Sequence, residues 1–457
     1  MVHVCQRWRG IIFESPLHLF LHLSCSNGTP VKQNLIFWPV TLPLTVDYNF
    51  ELFDLPPGDE DNVTAALKHP GRVHRIRILV SGPLTRKLAT LMQRSFPALT
   101  FLDLAWDYND LQDSRGLMVL VFPSRFLGGS APNLQYLRLK SVSFPGLPAF
   151  LLSARNLVTL KLEEIGQGGY ISPEAMVGGL AVLTKLTTLS ISFYNEDHLP
   201  EERTRLPDPP MRDVLPALIN FHYRGWTEYL EDLLTQIDTP RLETLRIEYL
   251  AVHVLAPQLS RFIDRTENLR IDQCRRAEVG FSFRDSYVEF EHPGECHQAR
   301  LSLKVLNTDW LEGQISEMVH ILGQLVAVFS NVDHLFAHGD HLGDHMDAED
   351  TGHPECLPFF RLFPAVESLH LSENVAVSIA SALEENAYSE EVIDVFPALH
   401  LLWLDEDEED YDKDYCKPVG SIERFLSSRQ LSGRPVTVVN TQEEFLNADR
   451  RPLQKSS

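Results

Sequence analysis

A hydrophobic pattern, P-x-L-x-x-L-x-L, recurs along the chain with polar residues between its apolar positions. One copy covers residues 97–104 and a second covers residues 132–139. The other good copies are anchored at Leu157, Leu186, Leu218, Leu242, Val366 and Leu399. Weaker copies begin at Val73, Val332, Leu269 and Leu301. At the last two anchors the pattern breaks after its first residue.

The alternation within each copy predicts a short β-strand that buries its leucines on one face and exposes the residues between them. The period is irregular and about 30 residues, at the upper end of the range for leucine-rich repeats. A single repeat cannot bury its own apolar face, so successive repeats must stack. The sequence therefore predicts an α/β leucine-rich-repeat solenoid, with short parallel strands on a concave face and helices outside. A closed barrel would contradict this prediction.

Segments between the copies carry apolar residues at helical spacing and predict the covering helices. They cover residues 172–183, 228–237, 310–329, 375–385 and 422–429. The first segment places Ser172 at the N-cap and Pro173 at the first helical position, which is a typical helix start. We interpret the apolar stripes of these segments as core.

Composition and charge narrow the functional classes. The chain has 457 residues and a net charge of −23, which argues against nucleic-acid binding because that needs clustered cations. The acidic run 405–414 is expected to be a solvated loop rather than a calcium site. No apolar run is long enough to span a membrane. The six cysteines are scattered singly, which indicates reduced thiols in a cytoplasmic or nuclear protein.

The N-terminal residues carry a different signal from the repeats. A V-C-x-x-W-r-x-I-I stretch is followed by S-P-x-L. Its helix positions are Val4, Cys5, Trp8, Ile11 and Ile12, and its exit positions are Pro16, Leu17 and Leu19. This stretch resembles the second half of an F-box, and the order of F-box before leucine-rich repeats resembles fungal, mushroom-type F-box proteins.

The resemblance implies a non-catalytic substrate-recognition subunit of an SCF-type, cullin-based ubiquitin ligase. It assigns adaptor binding to Val4, Cys5, Trp8, Ile12, Pro16 and Leu17, with a Skp-family adaptor and a cullin as partners. The L-P-x-E half of the module would lie before Met1, so we expect this chain to bind the adaptor weakly or not at all. A repeat protein without a ligase link, whose N-terminal helix merely caps the first repeat, is the alternative.

The expected organisation follows. Residues 1–25 are a partial F-box-like helical segment, and residues 26–70 are a linker and N-terminal cap. Residues 71–446 form the repeats, and residues 447–457 form a disordered tail.

Strand alternation also predicts which side chains face outward. Between Arg75 and Arg246, seven bases face two acids, Asp103 and Glu163. The outward residues expected to bind a partner are Arg75, Arg77, Phe101, Tyr136, Arg138, Lys140, Lys161, Arg224, Arg246 and Trp403. Such a face suits an unknown acidic or phosphorylated protein partner, with aromatic anchors. The alternative is that exposed strand positions simply tolerate Lys and Arg.

Candidate chemistry is sparse. His334, His338, His341, His345, His353 and Cys356 fall within one region, and such residues are ligands that zinc takes. We favour a polar insertion between repeats and predict no metal site, because the spacing is unspecific. The chain has no G-x-S-x-G, no H-E-x-x-H and no phosphate-binding loop. The sequence therefore predicts no enzymatic activity and no cofactor.

Overall fold

The structure is a computed structural model of the chain. It describes residues 10–11, 14, 22–26, 30–48, 59–80, 82–106, 120–194, 211–251, 257–269, 274–282, 285–291, 299–306, 311–325, 331–339, 356–372, 375–376, 395–405 and 418–440. The chain is an α/β protein with a large, mostly parallel β-sheet of many strands, and the described strands do not close into a barrel. It divides into two compact units, residues 1–225 with 232–242 and residues 226–231 with 243–457.

The first unit contains eight strands of the sheet, each paired in parallel with its sequence neighbour where pairing is described. They are β1 (Leu23–Cys25), β2 (Leu44–Tyr48), β3 (Val73–Val80), β4 (Phe101–Trp106), β5 (Tyr136–Lys140), β6 (Thr159–Ile165), β7 (Thr188–Phe193) and β8 (Asn220–Trp226). The helices between them are α1 (Val31–Phe37), α2 (Asp59–Leu67), α3 (Gly82–Leu91), α4 (Leu147–Leu151) and α5 (Pro173–Leu180). Two short parallel pairs accompany them, Leu120–Val121 with Val142–Ser143 and Asp213–Val214 with Ile237–Asp238.

A helix at the boundary between the units, α6 (Thr227–Gln236), follows β8 directly. The second unit then contributes β9 (Thr244–Ala251), β10 (Arg276–Phe281), β11 (Asp285–Glu291), β12 (Ala299–Leu306), β13 (His334–Gly339), β14 (Ser368–Ser372), β15 (Leu401–Asp405) and β16 (Thr437–Asn440). Its helices are α7 (Pro257–Arg265), α8 (Leu311–Gly323), α9 (Cys356–Phe360) and α10 (Pro418–Leu431).

The repeated hydrophobic positions form the core, as predicted. Leu102, Leu137, Leu160 and Leu189 are register partners on β4, β5, β6 and β7, and each is completely buried. Leu245, Leu369 and Leu402 in the second unit are at most 3% exposed. The period-2 alternation therefore places the leucines on the inner face of the sheet.

The start of each pattern has its own hydrogen-bonded turn. The N–H groups of Leu99, Leu134, Leu157 and Leu186 donate to the carbonyl three residues earlier, at 3.1, 3.2, 2.9 and 3.1 Å. The N–H of the next residue donates a hydrogen bond to a backbone carbonyl of the preceding repeat. The chain therefore joins the parallel sheet immediately after the turn.

Asparagines tie neighbouring repeats together beside these turns. The side-chain amide of Asn133 donates to the carbonyl of Pro97, and that of Asn156 donates to the carbonyl of Pro132, both at 2.8 Å. Each asparagine occupies the second position of its pattern, so the same hydrogen bond recurs one repeat later.

The second unit departs from simple succession. Its strand order is β9-β12-β11-β10-β13-β14-β15-β16, in which β11 is antiparallel to both β10 and β12. Three residues separate β10 from β11, which is too short for a parallel crossover. The weak anchors at Leu269 and Leu301 therefore do not mark two successive parallel repeats: Leu269 ends a short helical turn, Glu267–Leu269, and Leu301 lies in β12.

The predicted helices are largely found. The Ser172 hydroxyl accepts a hydrogen bond from the N–H of Ala175 at 3.3 Å, which confirms its capping role. Segment 310–329 contains α8, which is shorter than predicted, and segment 422–429 lies within α10. Of segment 375–385, the structure describes only the helical residues 375–376.

Regular strands begin before the predicted repeat region. β1, β2 and two helices precede residue 71, and β2 pairs in parallel with β3. Residues 447–457 lie outside the described ranges. None of the helices that the structure describes is both long enough and apolar enough to cross a membrane.

Candidate functional site

The face of the sheet opposite the buried leucines is called the outer face. In the first unit it carries a ladder of planar side chains. Register pairs Arg75 with Phe101 and Phe101 with Tyr136 on β3, β4 and β5. The Arg75 guanidinium lies 3.6 Å from the centroid of the Phe101 ring, and that ring stacks on Tyr136 with 4.2 Å between centroids and 6° between planes. Both rings are half-buried, so their outer edges remain available to a partner.

A charged row lies beside this ladder, one outward position further along the strands. Arg77, Asp103, Arg138 and Lys161 are successive register partners. The Nε and Nη2 atoms of Arg138 donate to Glu163 Oε2 at 3.0 and 2.8 Å, and Arg138 Nη1 lies 3.6 Å from Asp103 Oδ1. Arg77 Nε lies 3.7 Å from Asp103 Oδ2. Arg77 and Arg138, which were predicted to bind a partner, therefore already belong to an ion-pair network within the sheet.

Burial perturbs the pKa values of this network. Desolvation raises the pKa of Asp103 despite the opposing charges of Arg138 and Arg77. Burial lowers the pKa of Arg138, but the hydrogen bond and charge of Glu163 outweigh it, so that pKa is raised overall. Desolvation and the nearby Asp103 charge raise the pKa of Tyr136. Burial therefore opposes the charged form of Asp103, whereas the Glu163 contact favours the charged form of Arg138.

The list of outward acids from strand alternation is incomplete. Asp47 lies opposite Arg77 in the register of β2 and β3. Glu164 also reaches this face, because β6 bulges between Leu162 and Ile165 and Glu164 takes a positive φ of 55°. Its carboxylate accepts a bond from Ser141 and lies 3.1 Å from Lys140 Nζ. Strict alternation cannot reveal a bulge, although two consecutive glutamates in a short strand are a weak signal.

The remaining predicted cations differ in their surroundings. Lys161 is half-buried and has no ion pair among the described residues. Arg224 lies on β8, where Ser192 on β7 is its register partner. Arg246, in the second unit, is exposed and has no ion pair within the described ranges. The cationic character of the face is thus concentrated in fewer side chains than predicted.

The second unit carries a separate ladder that includes predicted Trp403. Phe336, His370 and Trp403 are register partners on β13, β14 and β15. Phe336 and His370 stack at 4.1 Å and 21°, and His370 and Trp403 stack at 5.2 Å and 5°. The Arg276 guanidinium lies 3.9 Å from the Phe336 centroid. Sequence reasoning missed Arg276, although the alternation of Ala277, Val279 and Phe281 marks its strand.

A hydrogen-bonded polar group lies next to this second ladder. The Tyr287 hydroxyl bonds to His338 Nε2 and lies 3.3 Å from Glu278 Oε1, which in turn lies 3.4 Å from His338 Nε2. Gly280 is required here because a Cβ atom would meet the Tyr287 ring at 2.1 Å. Desolvation and the Glu278 charge raise the pKa of Tyr287, so its hydroxyl stays protonated.

The other predicted sites fall mainly outside the described ranges. Val4, Cys5, Trp8, Ile12, Pro16 and Leu17 are not among the described residues, although Gly10, Ile11 and Glu14 between them are helical. His341, His345 and His353 also lie outside them. Among the residues that the structure describes, no group of three or more His, Cys, Asp or Glu side chains is arranged to hold a metal ion.

Comparison with known proteins assigns no family. No protein-family model matches the chain, and no curated protein matches it. The functional argument therefore rests on the residues themselves.

Proposed function

We propose that this chain is a non-catalytic recognition protein that holds a protein partner against the outer face of its parallel sheet. The observation that carries the proposal is the Arg75–Phe101–Tyr136 ladder, whose rings are half-exposed on a sheet face. Exposed aromatic and arginine side chains are enriched where proteins bind one another.

We further propose that the strands and helices stack as a leucine-rich-repeat solenoid with an N-terminal cap. The in-register leucines and the recurring turn support this architecture, because both repeat at β4, β5, β6 and β7. The face of such a solenoid displays many short strands side by side, which suits an extended protein partner.

The finer proposal is that the protein acts as an F-box-like subunit in the cytoplasm or nucleus and presents its partner to a cullin-type ligase. The resemblance of residues 4–19 to the second half of an F-box supports this link. In this mechanism the N-terminal helix binds a Skp-family adaptor, the sheet face binds the substrate, and the repeats set the distance between them. The alternative is a binding scaffold without ligase association.

Quantitative copurification tests the ligase link. The tagged full chain and its Trp8→Ala variant are expressed in cells, and the recovered adaptor, cullin and other proteins are measured. Ligase association through the weak adaptor binding expected from the sequence predicts that small amounts of adaptor and cullin copurify and that Trp8→Ala removes both while other partners remain. Partners without adaptor or cullin in either sample would instead establish the scaffold.

A further inference from the structure

The ladder of planar side chains in the first unit ends at Tyr136, although its row of outward positions continues. The next register positions are Thr159 on β6, Thr188 on β7 and Asn220 on β8. The two threonines are half-buried and the asparagine is exposed, so solvent reaches this row. Among the described residues, Phe101 is the only ring that stacks on Tyr136. The phenol ring therefore has one face covered by Phe101 and a second face, toward β6, with no ring beside it.

A threonine is too short to cover that second face. Neighbouring strands lie about 4.8 Å apart, and the Phe101 and Tyr136 rings stack across two such strands with 4.2 Å between centroids. The ring faces therefore point along the row, from strand to strand. The Thr159 side chain ends at its γ atoms, so it cannot reach the outer part of a phenol ring on the next strand. That part of the Tyr136 face is left for a side chain of a partner.

The second ladder shows that three successive strands can carry stacked rings. Phe336, His370 and Trp403 stack on neighbouring strands with centroids 4.1 and 5.2 Å apart. In the first ladder, the strand after Phe101 and Tyr136 carries Thr159 instead of a ring. A partner ring above β6 would meet Tyr136 within the range of about 4.5–7 Å that aromatic pairs prefer.

Local charge favours a neutral ring over an arginine at this position. Lys161 lies two residues beyond Thr159 on the same face of β6, is half-buried and has no ion pair in the described part of the chain. The Glu163 carboxylate, further along β6, already accepts two hydrogen bonds from Arg138. A guanidinium stacked on Tyr136 would therefore be repelled by the Lys161 ammonium, whereas an uncharged ring would not.

We propose that an aromatic side chain of the protein partner stacks on the uncovered face of Tyr136 above Thr159, and so adds one ring to the ladder. This inference rests on the proposed recognition function and specifies the partner residue that the face binds. A hydroxyl group can donate and accept hydrogen bonds, so Thr159 and Thr188 also suit the polar tip of a tyrosine or tryptophan ring.

Disulfide exchange on a cysteine variant of the full chain tests the proposal. Thr188→Cys places a thiol one strand beyond Thr159, about 4.8 Å further along the row. The variant is incubated with phenylethyl, cyclohexylethyl and guanidinoethyl disulfides, whose ethyl linkers let the attached group reach back to Tyr136. Mercaptoethanol is then increased, and mass spectrometry of the peptide that contains residue 188 measures how much of each group remains.

The phenyl group should withstand about threefold to tenfold more mercaptoethanol than the cyclohexyl or guanidinium group, as expected for one aromatic pair. Cyclohexyl is the matched apolar control, so equal retention of phenyl and cyclohexyl would overturn the stacking proposal. Tightest retention of the guanidinium group would also overturn it, in favour of a cationic partner side chain.

Further changes in the Thr188→Cys protein locate the bound group. Tyr136→Ala should remove the phenyl preference, and Thr159→Phe should remove it by filling the position with a ring of the chain itself. Thr159→Ser is the matched control and should retain the preference. A thiol introduced by Gln93→Cys, at an exposed position that follows α3, should show none. A phenyl preference that survives Tyr136→Ala would overturn the proposal, and Tyr136→Ala decides the result if Thr159→Phe does not fold.

The outcome separates this inference from the proposed function. If phenyl shows no preference but Arg75→Glu with Tyr136→Ala still loses cellular partners, the ring proposal is wrong and recognition by the face stands. If that double variant retains every partner, the recognition function itself is refuted.

Discussion

Replacing Arg138 with methionine should destabilise the fold, although Arg138 lies on the outer face of the sheet. Methionine keeps most of the apolar stem and removes the guanidinium. The change removes two hydrogen bonds to Glu163, of 3.0 and 2.8 Å, and the attraction to Asp103 at 3.6 Å. It leaves Asp103, whose side chain is only 8% exposed, with Arg77 at 3.7 Å as its remaining described ion-pair partner.

The expected cost is about 1–3 kcal/mol, the range for leaving a buried charged or polar group without its partner. The Arg138–Glu163 pair itself should contribute less, because the two side chains are 28% and 23% exposed and solvent screens their attraction. We expect a coupling free energy of about 1 kcal/mol between these residues, at the upper end of the range for exposed pairs.

Urea denaturation of four proteins measures both quantities. The natural chain, Arg138→Met, Glu163→Gln and the double variant form a double-mutant cycle. Arg246→Met is the matched control, since Arg246 is exposed and has no ion pair within the described residues, and its effect should stay within about 0.5 kcal/mol. An Arg138→Met effect as small as this control, together with zero coupling, would show that Arg138 is a free surface cation and would refute the network.

Three further predictions concern buried groups. Leu137→Ala should lower the free energy of unfolding by about 2–5 kcal/mol in urea denaturation, because Leu137 is completely buried between β4 and β6; a loss below about 1 kcal/mol would contradict the core assignment. Burial raises the pKa of Asp103, so the folded protein binds more protons than the unfolded chain between the two pKa values and loses stability as the pH rises through that window. As the pH rises above the ordinary aspartate pKa of about 3.9, Asp103→Asn should therefore lose less stability than the natural chain, and a greater loss in urea titrations would reverse the sign. Burial raises the pKa of Cys25 to about 11, so iodoacetamide at about pH 8 should modify it at least a hundredfold more slowly in the folded protein than in urea; equal rates by mass spectrometry would place this thiol at the surface.

The sequence pattern predicts the inner face well because burial imposes a strict period of two. Leu102, Leu137 and Leu160 are buried register partners as expected, and a slip of one residue would have exposed all three. The turn at Leu134 and the Asn133 hydrogen bond add local signals to the same repeat. In this repeat, the hydrophobic alternation, the turn and the strand register all place the same residues on the buried face.

Outer-face chemistry is less predictable because it depends on neighbours in space. Alternation correctly places Arg138 outward, but its partners come from β4 and β6, which no local pattern identifies. The bulge that brings Glu164 to Lys140 breaks the period within one strand. Residues 276–306 differ for another reason, since a short loop between β10 and β11 overrides the repeat period and enforces a hairpin.

Copurification of the full chain with an altered outer face tests the central claim most directly. The variant combines Arg75→Glu with Tyr136→Ala on the ladder, and the control combines Arg94→Glu with Gln93→Ala, at exposed positions that follow α3 away from the strand face. The account predicts that the ladder variant, once shown to unfold at the same temperature as the natural chain, loses partner proteins that the control retains. Identical recovered proteins from the natural chain and the ladder variant would contradict recognition by this face.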